Sequence, residues 1–185
     1  MSAAKAGSVY LALLRGINVS GKNKLPMGDL IAIFQDAGCS DVRTYIQSGN
    51  TVFRAKDALA LQISALVTEA IAKRFGYQVP IVLRSAGELR KVARNNPFLR
   101  DGADVTALHV AFLADKPKAA QVAGLDSERS PPDRLTVRGQ EIYLCCPNGL
   151  GRSKLTNKYF DSKLDTTSTL RNWKTVLQLT QMVDG

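Results

Sequence analysis

Six consecutive apolar residues near the start of the chain, VYLALL at positions 9–14, limit the fold more than any other segment. A strand with one wet face alternates apolar with polar residues. Here Val9, Leu11 and Leu13 on one face and Tyr10, Ala12 and Leu14 on the other are all apolar, which predicts a strand covered on both sides. The elements that follow keep to this reading. Residues 9–15 form a strand, 26–37 a helix opened by Pro26 and stopped by Gly38, and 42–47 a second strand. Ser48-Gly49-Asn50 turns the chain into a third strand over 51–55. A helix over 58–75 carries Leu59, Ile63, Leu66, Val67 and Ile71 as its apolar stripe, and a fourth strand occupies 79–84. The succession βαββαβ is that of a ferredoxin-like unit, expected over residues 1–85.

Residues 86–185 repeat the theme less regularly, as a second α+β subdomain packed on the first. The pattern predicts a short helix over 86–94, a strand over 105–113, a helix from Pro117 and a hairpin about Arg138-Gly139-Gln140. Two helices close the chain, one after Gly151 with Ser153 as its N-cap and one from Leu170 to the region of Met182. A covered sheet also argues against the exposed aromatic platform by which many ferredoxin-like domains stack RNA bases, so Tyr10 and Phe53 are read as core.

The connection after the first strand, Gly16-Ile-Asn-Val-Ser-Gly21-Lys22-Asn23, nearly spells a phosphate-binding P-loop, G-x-x-x-x-G-K-[ST]. Asn23 replaces the hydroxyl that would ligate magnesium, and Pro26 starts the helix too late to place Lys22 in its first turn. Asp115, the best partner for a metal at a strand end, lacks a convincing context. A looser anion-binding loop fits better than a magnesium NTPase.

Ordered blocks run the length of the chain: LLRGINVSGKNKLPM, TYIQSGNTVF, HVAFL, PNGLGRSKLTNKYF and TTSTLRNWKTVLQL. Together they resemble the bacterial family catalogued as domain of unknown function 1697, over nearly the whole chain. The resemblance implies an α+β fold with a ferredoxin-like half and brings no activity, cofactor or catalytic residue. Ser20 stands where glycine is common in that family.

Three segments place glycine or hydroxyl residues beside cations at or before expected helix starts, a local chemistry suited to phosphate. They contribute Gly16, Asn18, Gly21, Lys22 and Lys24; Arg152, Ser153 and Lys154; and Arg171 and Lys174. His109, the only histidine, and Asp161 are the candidates for moving a proton, although His109 is more simply a hydrogen-bonded, half-buried strand residue. No histidine-rich metal site can be built. Cys39, Cys145 and Cys146 read as buried thiols rather than a disulfide framework or a zinc site, and no motif specifies a cofactor.

The net charge of +9 is concentrated in the first 56 residues and the final third. It favours an anionic partner. No apolar run is long enough to span a bilayer, and the opening MSAAKAGS has neither a basic cluster nor a signal-type apolar core, so a cytoplasmic location away from membranes is expected. The leading expectation is binding of a phosphate-bearing ligand, a nucleotide or nucleic-acid backbone. The alternatives are an enzyme acting on a small anionic metabolite and a basic module that meets an acidic protein.

Overall fold

A computed structural model describes residues 7–185, so the first six residues of the opening segment read for a leader lie outside the described residues. The apolar run becomes β1 (Ser8–Leu14), and Leu11, Ala12, Leu13 and Leu14 are all buried, whichever face they occupy. β1 is followed by α1 (Met27–Asp36), β2 (Ser40–Tyr45), β3 (Asn50–Ala55), α2 (Asp57–Phe75), β4 (Ile81–Ser85) and α3 (Ala86–Arg94). The strands form an antiparallel sheet in the order β2-β3-β1-β4. Tyr10 pairs with Phe53 across β1 and β3, the two rings stacking at 5.9 Å, and Phe34 from α1 meets Phe53 at 5.0 Å. Phe53 is core, as expected; Tyr10 is half-buried and its hydroxyl donates to Asp57.

α2 buries Ala60, Ile63, Val67 and Ile71, a spacing of three and four that keeps one stripe on the core. Leu66 falls off that stripe and is 38% exposed, a correction to the expected apolar face. Gly76 ends the helix in the left-handed conformation at φ 80°, where a side chain would be strained.

The rest of the chain supplies α4 (Pro97–Arg100), β5 (Leu108–Leu113), α5 (Ala119–Ala123), β6 (Arg134–Arg138), β7 (Glu141–Cys145), α6 (Asn157–Leu164), β8 (Ser168–Asn172) and α7 (Trp173–Asp184). Their antiparallel sheet has the order β6-β7-β5-β8, the order of the first sheet with each strand replaced by its counterpart. The protein is therefore α+β, with two four-stranded antiparallel sheets. It divides into two compact units, one running to Leu89 and including Leu179–Gly185, the other Arg90–Gln178.

Three expectations in the second half need correction. Val105–Ala107 is a 3-10 turn capped by the Asp104 carboxylate, so the strand begins only at Leu108. Gly151 and Ser153 belong to another 3-10 turn, Leu150–Arg152, with Ser153 as its C-cap. The helix expected there starts at Asn157, where Thr156 Oγ1 accepts from Tyr159 N. Finally, Leu170 and Arg171 lie in β8, not in a helix, because residues 168–172 complete the sheet by pairing with β5.

Each unit also contains the same strand-to-helix junction. In Leu83-Arg84-Ser85 and Leu170-Arg171-Asn172, the arginine Nη1 donates to the preceding leucine carbonyl. The next residue caps the following helix, Ser85 Oγ accepting from Glu88 N and Asn172 Oδ1 from Thr175 N. Glu88 reciprocates by accepting from Ser85 N, a capping box.

Candidate functional site

The feature that most distinguishes the first unit is the connection of β1 to α1, residues 15–26. It is a closed loop, braced from inside. Asn18 Oδ1 accepts from Leu25 N at 2.8 Å, while its Nδ2 donates to Leu25 O and to Gln47 O, each at 2.9 Å. Asn23 Nδ2 donates to Gly16 O, Asn18 N to Asn23 O, and Lys22 N to Val19 O, so residues 18–25 fold back on themselves. Leu25 and Ile17 are buried beneath, and Tyr77 Oη donates to Lys24 O.

This folding requires unusual backbone. Gly16 and Gly21 have φ of 76° and 75°, and Asn18, Ser20 and Asn23 adopt φ of 53°, 51° and 49°. Glycine is the least strained residue in this region and asparagine the next, so the sequence suits the loop; Ser20 occupies a conformation glycine would take more readily. The adjoining turn between β2 and β3 behaves alike. Ile46 has φ 52°, Asn50 Nδ2 donates to Tyr45 O and Ser48 Oγ, and Leu14 N donates to Gly49 O. A Cβ on Gly49 would lie 2.6 Å from Leu14 Cβ and 2.8 Å from Ile17 Cδ1, so only glycine fits. Of the six non-glycine residues with positive φ among the described residues, four lie in these two segments.

Lys22 and Lys24 are exposed on this loop, and neither has an ion-pair partner among the described residues. Asn18 was expected to contact phosphate. Its amide is filled by backbone partners instead, which gives it the role of brace. α1 begins at Met27 with Pro26 as N-cap, leaving Lys22 in the loop, as the proline indicated. Asp115 is engaged at the end of β5, its N–H donating to Thr166 Oγ1 and its carboxylate accepting from the same hydroxyl.

The second basic segment has a different construction. Arg152 and Lys154 are exposed, but the amides that would face an anion are occupied: Arg152 N donates to Gly149 O, Ser153 N to Leu150 O, Lys154 N to Ser130 Oγ and Leu155 N to Ser153 Oγ. In the third, Arg171 is half-buried with Nη1 on Thr169 Oγ1 and Leu170 O; burial pushes its guanidinium down to about 10, so it stays charged at neutral pH. Lys174 is exposed in the first turn of α7, and Trp173 is buried as a core anchor.

His109 is 7% exposed with Nδ1 3.2 Å from Ala107 O, and burial lowers its pKa. Asp161 accepts from both Ser168 N and Ser168 Oγ, tying α6 to the start of β8. Burial pushes the Cys39 and Cys146 thiols up to about 11, far from a reactive thiolate. Sequence reasoning missed a cleft of about 470 Å³ at the end of β7, lined by Asp104, Thr106, Arg134, Cys145, Cys146 and Pro147 among others. Arg134 packs over the Phe98 ring at 4.9 Å and lies 3.8 Å from the Asp101 carboxylate. No spacing in the sequence links Arg134 to the 3-10 turn at Asp104; the pairing of β6 with β7 and of β7 with β5 does.

The profile of a family described as a protein of unknown function, DUF1697, matches residues 8–143. The chain belongs to this family. The DUF1697 match covers both the braced loop and the Ile46 turn. No curated protein matches the chain. Among solved structures, the conserved bacterial protein SP0830 from Streptococcus pneumoniae is similar, with a TM-score of 0.74 and 24% identity over 95% of this chain and 98% of that one. At that identity the likeness shows the fold alone. No helix among the described residues is long and apolar enough to cross a membrane.

Proposed function

We propose that this DUF1697 protein is a cytoplasmic binder of a phosphate-bearing ligand, a nucleotide or a nucleic-acid backbone, and that the braced loop of the first unit is its primary contact. One observation carries the reading: a loop held rigid by Asn18 and Asn23 presents Lys22 and Lys24 to solvent without internal ion pairs. A preorganised loop loses little conformational entropy when a ligand arrives, and Gly16 and Gly21 let the backbone approach it closely. There is no Asp or Glu between Arg15 and Gly28 to compete for the lysines. Arg152, Lys154 and Lys174 are further exposed cations; Ser153 and Arg171, already engaged, act through position.

A thermal-shift panel of nucleotides, polyphosphate and short oligonucleotides tests this. Ligand at a hundred times its dissociation constant adds about 2.7 kcal/mol and raises the melting temperature by several degrees. Lys22→Ala with Lys24→Ala should abolish the shift while leaving the unliganded melting temperature nearly unchanged, since exposed charges contribute little to folding. A shift that persists in the double variant places the ligand elsewhere. The cleft beside Arg134 favours a second reading, an enzyme or binder for a small anionic metabolite, because its volume lies in the range of small-molecule sites. A shift lost in Arg134→Gln and kept in the lysine variant would select it.

A further inference from the structure

Lysines explain attraction to any phosphate, but they do not explain the two aliphatic side chains beside them. Val19 is 58% and Ile46 53% exposed. The two segments that carry them are joined directly, Asn18 Nδ2 donating to Gln47 O. Ile46 is also held at φ 52°, where a β-branched side chain is strained and where asparagine or glycine would relax. Its exposed side chain gains little packing inside the protein to offset that strain. Strain that the surroundings impose at an exposed position points to a contact made outside the molecule.

Resting on the phosphate reading, we infer that this tip grips an unpaired stretch of nucleic acid, with Lys22 and Lys24 on phosphates and Val19 and Ile46 against the faces of bases. The partner is chosen by charge and by the shape of the surface it must meet. Neither residues 15–28 nor residues 42–56 contain an acidic side chain, so the whole tip favours a polyanion. Val19 and Ile46 offer exposed apolar groups to a base face, which a single strand exposes and a duplex hides in its stack. A bilayer asks for far more apolar area than two side chains supply.

Fluorescence anisotropy with labelled single-stranded DNA and RNA, the matching duplex, polyglutamate and anionic vesicles, each at two salt concentrations, tests the inference. The single strand should bind about tenfold more tightly than the duplex, and polyglutamate and vesicles more weakly still. Lys22→Ala with Lys24→Ala should lower affinity and reduce the slope of log affinity against log salt by about 1.4, near 0.7 for each phosphate that a lysine no longer neutralises. Ile46→Asn should raise the melting temperature yet weaken single-strand binding about tenfold at an unchanged salt slope, and Val19→Ser should weaken it without altering the fold. If the lysine variant weakens binding while Ile46→Asn and Val19→Ser do not, the phosphate reading survives and this inference fails. Duplex, polyglutamate or vesicles binding as tightly as the single strand would overturn it, and oligonucleotides that do not bind at all would overturn it too.

Discussion

From β1 and from β5 the chain runs through the same succession of strands and helices with the same strand order, yet the two units lengthen different connections. In the first, β1 reaches α1 through residues 15–26, while β3 reaches α2 through Lys56 alone. In the second, β5 reaches α5 through residues 114–118, while β7 reaches α6 through residues 146–156. Strands satisfy one another's backbone, helices their own, and sheet and helices cover each other's apolar faces, so that part of the design repeats; connections answer only to what they touch, and they diverge. The long connection of the first unit is braced by the Asn18 and Asn23 side chains and exposes Lys22 and Lys24, whereas that of the second is a 3-10 turn held by local backbone bonds and by Ser130, with Arg152 and Lys154 exposed. Function read from the shared fold would miss this difference.

The hairpin turns give the sharpest way to break the comparison. Gly49→Ala should cost about 3 kcal/mol or more, combining left-handed strain with a methyl forced against Leu14 and Ile17. Its counterpart Gly139, with φ 64° and nothing nearer than 3.8 Å to an added Cβ, should lose only about 1–2 kcal/mol on substitution by alanine. Chemical denaturation of both variants measures the gap; equal losses would mean the tip tolerates distortion and is not rigid. A smaller effect separates the two braces. Asn18→Ala strips three hydrogen bonds around Leu25 and Gln47 and should cost about 2 kcal/mol, whereas Gln140→Ala, whose Nε2 donates to Ala114 O at an exposed site, should cost about 0.5 kcal/mol.

The smallest effect sharpens the contrast through pH, since the chain's only histidine lies in the second unit. Burial holds the folded His109 imidazole below its ordinary value, so the unfolded chain binds more protons once the pH falls under about 6.5. Its contribution is complete above that value and is lost on acidification until the native imidazole also protonates, with a slope of at most about 1.4 kcal/mol per pH unit. His109→Asn should flatten the stability profile between neutral and mildly acidic pH. An unchanged slope would assign the acid response to carboxylates.

How legible each part was depended on whether its cause was local. The helix start at Pro26, the turn at Gly49 and the strand VYLALL follow from proline geometry, positive φ and unbroken apolarity, all of which act within a few residues. The candidate lysines were visible for the same reason. The amide of Asn18 was not, because its partners Leu25 and Gln47 are 7 and 29 residues away. Arg134 was missed because its neighbours in the cleft come from other strands and turns.

By itself, then, the sequence determined the first sheet's succession, the burial of both faces of its central strand and the basic character of the β1–α1 loop. Tertiary structure decided the rest. Residues 168–172 have a pattern that suits a helix or a strand, and β5 offers them an open edge whose hydrogen bonds only a strand can take. The same pairing moved the helix start to Trp173 and gave the second sheet the strand order of the first. A backbone donor far along the chain makes no mark on local periodicity, and that is why these features emerged only when the strands were in register.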